Sequence, residues 1–307
     1  MEIEITATVE SLKQARELVE TGIDYLYFGD EEFSLRLPKY FSRDEQKELV
    51  KLAHEHNKKV TVAVNGIMHQ EKMNAVPEYL QFLADLKVDR ITVGDTGVIF
   101  VLQRDNYQLP YIYDAQTLVT SARQINFWAK RGAIGAVIAR EVPYLELAEM
   151  IKTLEIPGEI LVYGATCIHQ SKRPLVENFF SFVKAKDDVS KERGLFLSEP
   201  KKPDTHYSVY EDTHGTHIFA DNDVNLMSEL TKLVALGYGQ WKLDGIYTPG
   251  TDFVEIVKLF VVAKEACQSG TWTSELAESL SKKVIACHPQ ERALDTGFFL
   301  MDPADVK

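Results

Sequence analysis

The chain has 307 residues, 45% of them apolar, which is enough for one large α/β domain or two ordinary ones with a substantial core. A formal net charge of −12 argues against a broadly basic nucleic-acid surface, although local basic patches such as Lys172 with Arg173 remain. Three cysteines, an odd number spread along the chain, argue against a disulfide framework, and with no leader-type segment or long apolar run the expectation is a reduced, cytoplasmic protein without a membrane span.

The elements follow one another as strand then helix. "IEITAT" alternates at period two, and "SLKQARELVETG" follows with Ser11 as N-cap and Gly22 as stop. The pattern recurs in "IDYLYFG" with "SRDEQKELVKLAHEHNK", "VTVAVNG" with "AVPEYLQFLADLK", and "RITVGD" with "GVIFVLQRDN". It continues in "YIYDAQT" with "SARQINFWAKRG", "GAVIAR" with "YLELAEMIKTLE", "EILVYG" with "NLMSELTKLVALG", and "GQWKLDGI" with "DFVEIVKLFVVAKEACQ". Eight such units in about 270 residues predict a TIM-like (β/α)8 barrel over residues 1–270. An open doubly wound sheet is the alternative, but no G-x-G-x-x-G follows any strand.

The seventh unit is interrupted by about sixty residues, an insertion at about 168–222. Within it "YSVYEDTHGTHIFA" predicts a β-hairpin projecting over the barrel mouth, while "KAKDDVSKERG" and "SEPKKPD" read as solvated loops. Residues 271–307 form a tail with "SELAESLSKKV" as a helix, and "TGFFLMDP" has no evident place.

Sites in such barrels form at the C-terminal strand ends, which brings forward Asp30, Asn65, Asp95, Gln116, Arg140, Glu141, Tyr163, Cys167 and Asp244. Asp and Asn serve there equally well as turn and helix caps, and Arg140 with Glu141 as an exposed ion pair. Lys242 shares a strand face with Asp244 in "WKLDG", and a Lys buried in a barrel needs a carboxylate partner. His214 and His217 in "HGTH" could join His206 or His169 on zinc, but the spacing completes no tetrahedron and a turn histidine is the simpler reading. H-E-x-x-H and G-x-S-x-G are absent, and no His and Asn context marks Cys167 as a thiol-protease nucleophile.

"EILVYGATC", preceded by "IAREVP" and followed by "GQWKLDGIYTPGTDFVEIVKLF" and "TGFF", resembles peptidase family U32, the collagenase-like protease family. "CIHQSKRPLVENFFSF" with "KERGLFLSEP" resembles a short branch of it. The resemblance implies either a hydrolase or, as in many members, an oxygen-independent hydroxylation protein that holds an iron–sulfur cluster on four cysteines. Such members act on transfer-RNA wobble uridine with prephenate as oxygen source, or on a quinone precursor. The first cluster cysteine matches Cys167; the other three positions fall on Pro174, on Phe196 or a neighbour, and on Asn225. A cluster needs convergent thiolates. Cys267 lies about fifteen helical residues, roughly 22 Å, toward the opposite barrel face, and Cys287 is in the tail.

The expectation is therefore a chain with no cofactor or metal of its own, partnered by a four-cysteine paralogue that carries the cluster and meeting transfer RNA through that complex. The acidic charge fits a subunit that does not itself grip RNA. Its candidate site is Arg140, Glu141, Tyr163, Cys167, Lys242 and Asp244 around a small carboxylate ligand. The competing expectations are a peptidase and a non-catalytic scaffold that binds a small carboxylate.

Overall fold

The computed structural model describes residues 1–115 and 118–306. Eight parallel strands form the barrel: β1 (Glu4–Thr8), β2 (Tyr25–Gly29), β3 (Lys59–Val64), β4 (Arg90–Val93), β5 (Tyr111–Tyr113), β6 (Ala133–Val137), β7 (Gly158–Ser171) and, after the insertion, β11 (Gln240–Leu243). Each pairs with the next, and β11 pairs with both β1 and β7, so the sheet closes and the open-sheet alternative is excluded.

Helices α1 (Leu12–Leu18), α2 (Arg43–Glu55), α3 (Gln70–Met73), α4 (Val76–Asp85), α5 (Thr96–Arg104), α6 (Ala122–Ala129) and α7 (Tyr144–Met150) fill the first six connections. Their starts are chemically marked. Ser11 accepts from the Gln14 amide, Ser42 and Glu45 form a reciprocal capping box, and Ser121 and Asp95 cap α6 and α5. β2 is buried along its whole length, as expected for a parallel strand covered on both faces.

The insertion is larger than a hairpin. β7 itself runs on to Ser171, followed by α8 (Leu175–Phe182), β8 (Phe196–Glu199), β9 (Lys202–Asp212) and β10 (Gly215–Asn225), giving an antiparallel order β7-β10-β9-β8. The segment "SEPKKPD" is thus mostly strand ends and a tight turn between β8 and β9, its loop-like composition reflecting an exposed sheet edge. Ala165, Tyr210, Phe219 and Ile246 form a small apolar core beneath the hairpin, separate from the main barrel core.

Side chains fasten the hairpin to the loop after β2. Tyr40 donates to Asp212 at 2.8 Å, Arg36 to Gln170 at 2.5 Å, and His214 Nε2 to the Glu31 carbonyl at 2.8 Å. Past α9 (Leu230–Leu236), α10 (Gly250–Ser269) and α11 (Ser274–Cys287), strand β12 (Ala293–Asp295) pairs with β10. Arg292 there binds Asp223 of β10 through contacts of 2.6–3.1 Å and donates to Ser208 at 2.5 Å. "TGFFLMDP" also finds its place: Phe299 is buried against Tyr144, and its carbonyl accepts from the Tyr144 amide at 2.9 Å.

Asp223 is 1% exposed, so removing its partner strands a carboxylate in a medium that cannot solvate it. Arg292→Ala is expected to cost about 3–5 kcal/mol in urea denaturation, with much of the loss recovered by adding Asp223→Asn. Unchanged stability in Arg292→Ala would refute this strap.

Candidate functional site

The C-terminal mouth of the barrel holds a polar cleft. Tyr27, Asn65, Asp114, Lys242 and Asp244 line it from the barrel, Arg140 and Glu141 from the turn after β6, Arg36 from the loop after β2, and Cys167 and Phe219 from the hairpin stem. The space between them measures about 40 Å³, room for a carboxylate-sized group.

Lys242 projects inward from β11 and is buried, with Nζ 3.3 Å from the centroid of the Tyr27 ring. Among the described residues no carboxylate lies within ion-pair distance of it, where the sequence led us to expect one. The aromatic face supplies part of that compensation. Tyr27 is held between Thr92 Oγ1 at 3.0 Å and Asn65 Nδ2 at 3.4 Å, and burial, then the nearby Asp114, push its pKa far up, so it stays a neutral phenol. Asn65 also donates to Asp114 at 2.8 Å.

Arg140 Nη1 donates to the Ala165 carbonyl at 2.5 Å while Nη2 stands 3.7 Å from Asp244, too far for a hydrogen bond. Glu141 has a buried oxygen without a hydrogen-bond partner among the described residues, and burial pushes its pKa up. Arg36 adds a third cation. Its backbone lies at φ +52°, an uncommon conformation for a long side chain, and its guanidinium is fixed by Gln170.

Beside the cleft, His217 is completely buried and packs at a tilt against Tyr210, ring centroids 4.8 Å apart. Its Nε2 donates to Asp212 at 2.9 Å, and its Nδ1 has no hydrogen-bond partner of good geometry among the described residues. The pairing of β7 with β10 sets Cys167 opposite Phe219, two residues along the strand from His217. Burial pushes that thiol up, but His217, Arg36 and Arg140 outweigh it, so Cys167 lies below the ordinary thiol value. Burial likewise opposes ionisation of Asp212, yet its hydrogen bond from His217 helps bring it down to about 2.

Of the six sequence candidates, Arg140, Glu141, Cys167, Lys242 and Asp244 share this cleft. Tyr163 does not line it: its ring packs between the barrel and Phe253 and Phe260 of α10, and its hydroxyl bonds Thr248 at 2.8 Å and His288 at 2.7 Å. Asp30 and Asp95 serve as turn and helix caps, and Gln116 lies outside the described residues. Sequence reasoning missed Arg36, Asp114, Asp212 and the role of His217. For Asp212 and His217 the short "EDTHGTH" hairpin was the one available signal, because its register pairs Asp212 with Gly215 and so places it diagonally across from His217.

A (β/α)8 barrel with a polar site at its mouth, covered by an inserted hairpin, is the class of protein that these features define. The family model for Peptidase family U32 matches residues 10–307, and the chain belongs to this family. It is 33% identical over 303 residues to tRNA hydroxylation protein P2 of Bacillus subtilis, covering 97% of this chain and 98% of that protein. To tRNA hydroxylation protein P1 of the same organism it is 26% identical, covering 79% of this chain and 58% of the longer relative. A solved structure described as the U32 peptidase Mk0906 matches with TM-score 0.52 and 16% identity over 79% of this chain and 92% of that one, a likeness of fold alone.

Cys167 sits against the small hairpin core, Cys267 and Cys287 pack on the main core, and Asn225 Oδ1 is used to accept from the Met227 amide. Among the described residues no group of three His, Cys, Asp or Glu is arranged to hold a metal ion, and no helix is long and apolar enough to cross a membrane.

The hairpin turn carries a pH signature. Burial depresses His214 to about 4, so between pH 6.5 and 4 the unfolded chain binds a proton that the folded chain refuses, and stability rises with pH across that window. Acidification from pH 6.5 to 4 should remove up to about 3 kcal/mol through this residue. The stability difference between wild type and His214→Gln should shrink correspondingly in urea melts. A difference independent of pH would contradict the assignment.

Proposed function

We propose that this chain is the cluster-less partner in an oxygen-independent 5-hydroxylation of transfer-RNA wobble uridine, working in the cytoplasm with a four-cysteine paralogue that carries the iron–sulfur cluster. The observation that carries the reading is its similarity to tRNA hydroxylation protein P2 over nearly the full length of both chains. Relatives named P1 and P2 occur in one organism, which supports two paralogues sharing the task. The insertion leaves Phe179 and Phe182 of α8 exposed, an apolar face that such a partner can cover.

In this reading the mouth cleft takes a carboxylate group of prephenate, whose ring stays outside that space, and transfer RNA is met through the complex. Arg140 takes the carboxylate as a two-pronged donor, Lys242 adds a point charge from below, and Asp244 and the Tyr27 ring hold the two cations in place. Glu141, with its pKa raised and one oxygen unpartnered, is the group suited to hold a proton beside the ligand. A peptidase acting alone is the second reading, favoured only by the strand pairing that brings Cys167 near His217.

Two outcomes follow. Deleting the gene should lower hydroxylated wobble uridine in nucleoside mass spectrometry; unchanged nucleosides, together with gelatin cleavage by the purified chain that Cys167→Ser abolishes, would favour the peptidase. Arg140→Ala should weaken prephenate binding by about 1.5–3 kcal/mol, roughly ten- to more than a hundredfold, in titration calorimetry. Equal affinity in the variant would remove Arg140 from the site.

A further inference from the structure

The carboxylate reading leaves one arrangement unused. Asp212 accepts the Nε2 proton of His217 at 2.9 Å, so in the neutral ring the Nδ1 lone pair is the basic one. That nitrogen is buried and without a hydrogen bond among the described residues. The pairing of β7 with β10 sets Cys167 opposite Phe219, two residues from His217, with Cys167 packed against the small core whose Tyr210 meets the imidazole. The thiol itself donates only a weak contact to the His169 carbonyl at 3.3 Å. Tyr210 packs at a tilt against the imidazole, and Tyr40 pins Asp212 from the loop after β2. A nucleophile, a base and a group that orients the base thus stand in sequence, and Cys167 borders the cleft that holds Arg36, Arg140 and Lys242.

We propose that Cys167, His217 and Asp212 form a nucleophilic thiol centre that takes small carboxylates bearing an electrophilic carbon, such as 2-oxo acids. The carboxylate preference rests on the cleft reading above; the thiol centre does not. The carboxylate sits on the cleft cations and the thiol proton passes to His217 Nδ1. The sulfur then bonds to the carbonyl carbon, the C=O π pair becomes an alkoxide, and the imidazolium returns the proton to that oxygen. Nothing is oxidised or reduced, and no group has to leave. Arg36 and Arg140, which line the same cleft as Cys167, favour its thiolate.

Alkylation of the whole folded chain, with mass-spectrometric mapping and glutathione as reference thiol, separates the two parts. In each case a C–S bond replaces C–I and iodide leaves. Cys167 should react with iodoacetamide at pH 7 at least about three times faster than glutathione, since thiolate fraction rises more than nucleophilicity falls. His217→Ala and Asp212→Asn should abolish that excess. The ratio of iodoacetate to iodoacetamide rates should be several-fold higher at Cys167 than at glutathione. A Cys167 in the wild type no faster than glutathione overturns the thiol centre, whether or not the variants fold. A fast Cys167 with glutathione's reagent ratio upholds the centre but overturns its carboxylate preference.

Discussion

The site depends on one strand continuing beyond the barrel that contains it. β7 contributes to the closed sheet through its first half and then leaves it to pair with β10. The change of course falls at Gly164, whose φ of +125° is accessible to glycine, and a Cβ there would stand 2.3 Å from the Asp244 carbonyl oxygen. Because the backbone can pass so close, Asp244 and Arg140 lie beside the same stretch that carries Ala165 and Cys167. The hairpin, its small core and the Asp212–His217 pair are all placed by that extension.

Charge then decides what the mouth can do. Arg36, Arg140 and Lys242 converge where the carboxyl groups of Asp244 and Glu141 also gather, and the pairings of these two are loose. Arg140 stands off from Asp244, Lys242 rests on an aromatic face, and Glu141 keeps an oxygen without a described partner. Tightly matched pairs would have neutralised the cleft; cations held at a distance from their counter-charges keep binding capacity for an incoming anion. The Arg292–Asp223 contact shows the other case, a buried pair with short geometry that serves to fasten the tail.

Period and length carried the architecture in the sequence, because each strand is an apolar run and each helix an amphipathic one with a marked start. Lys242 and Asp244 were legible for the same reason: alternation in "WKLDG" assigns them one face. Tyr163 shows where alternation stops being a guide. A register shift between β11 and β7 opposes Lys242 to Leu161 but Leu243 to Tyr163, and Tyr163 turns outward to α10. Arg36 was hidden because a loop at positive φ brings it in, and no periodicity encodes that. Asp212 and His217 were hidden because a hairpin's register and its bulges, rather than a motif, set what stands beside Cys167.

The account ties transfer-RNA hydroxylation to the cations of the barrel mouth, and complementation tests that link directly. A deletion strain would be supplied with wild type or with Arg140→Ala/Lys242→Met at equal protein level, and hydroxylated wobble uridine quantified by mass spectrometry. The double variant is predicted to leave the nucleoside at the level of the deletion while wild type restores it. Full restoration by the double variant would contradict the account.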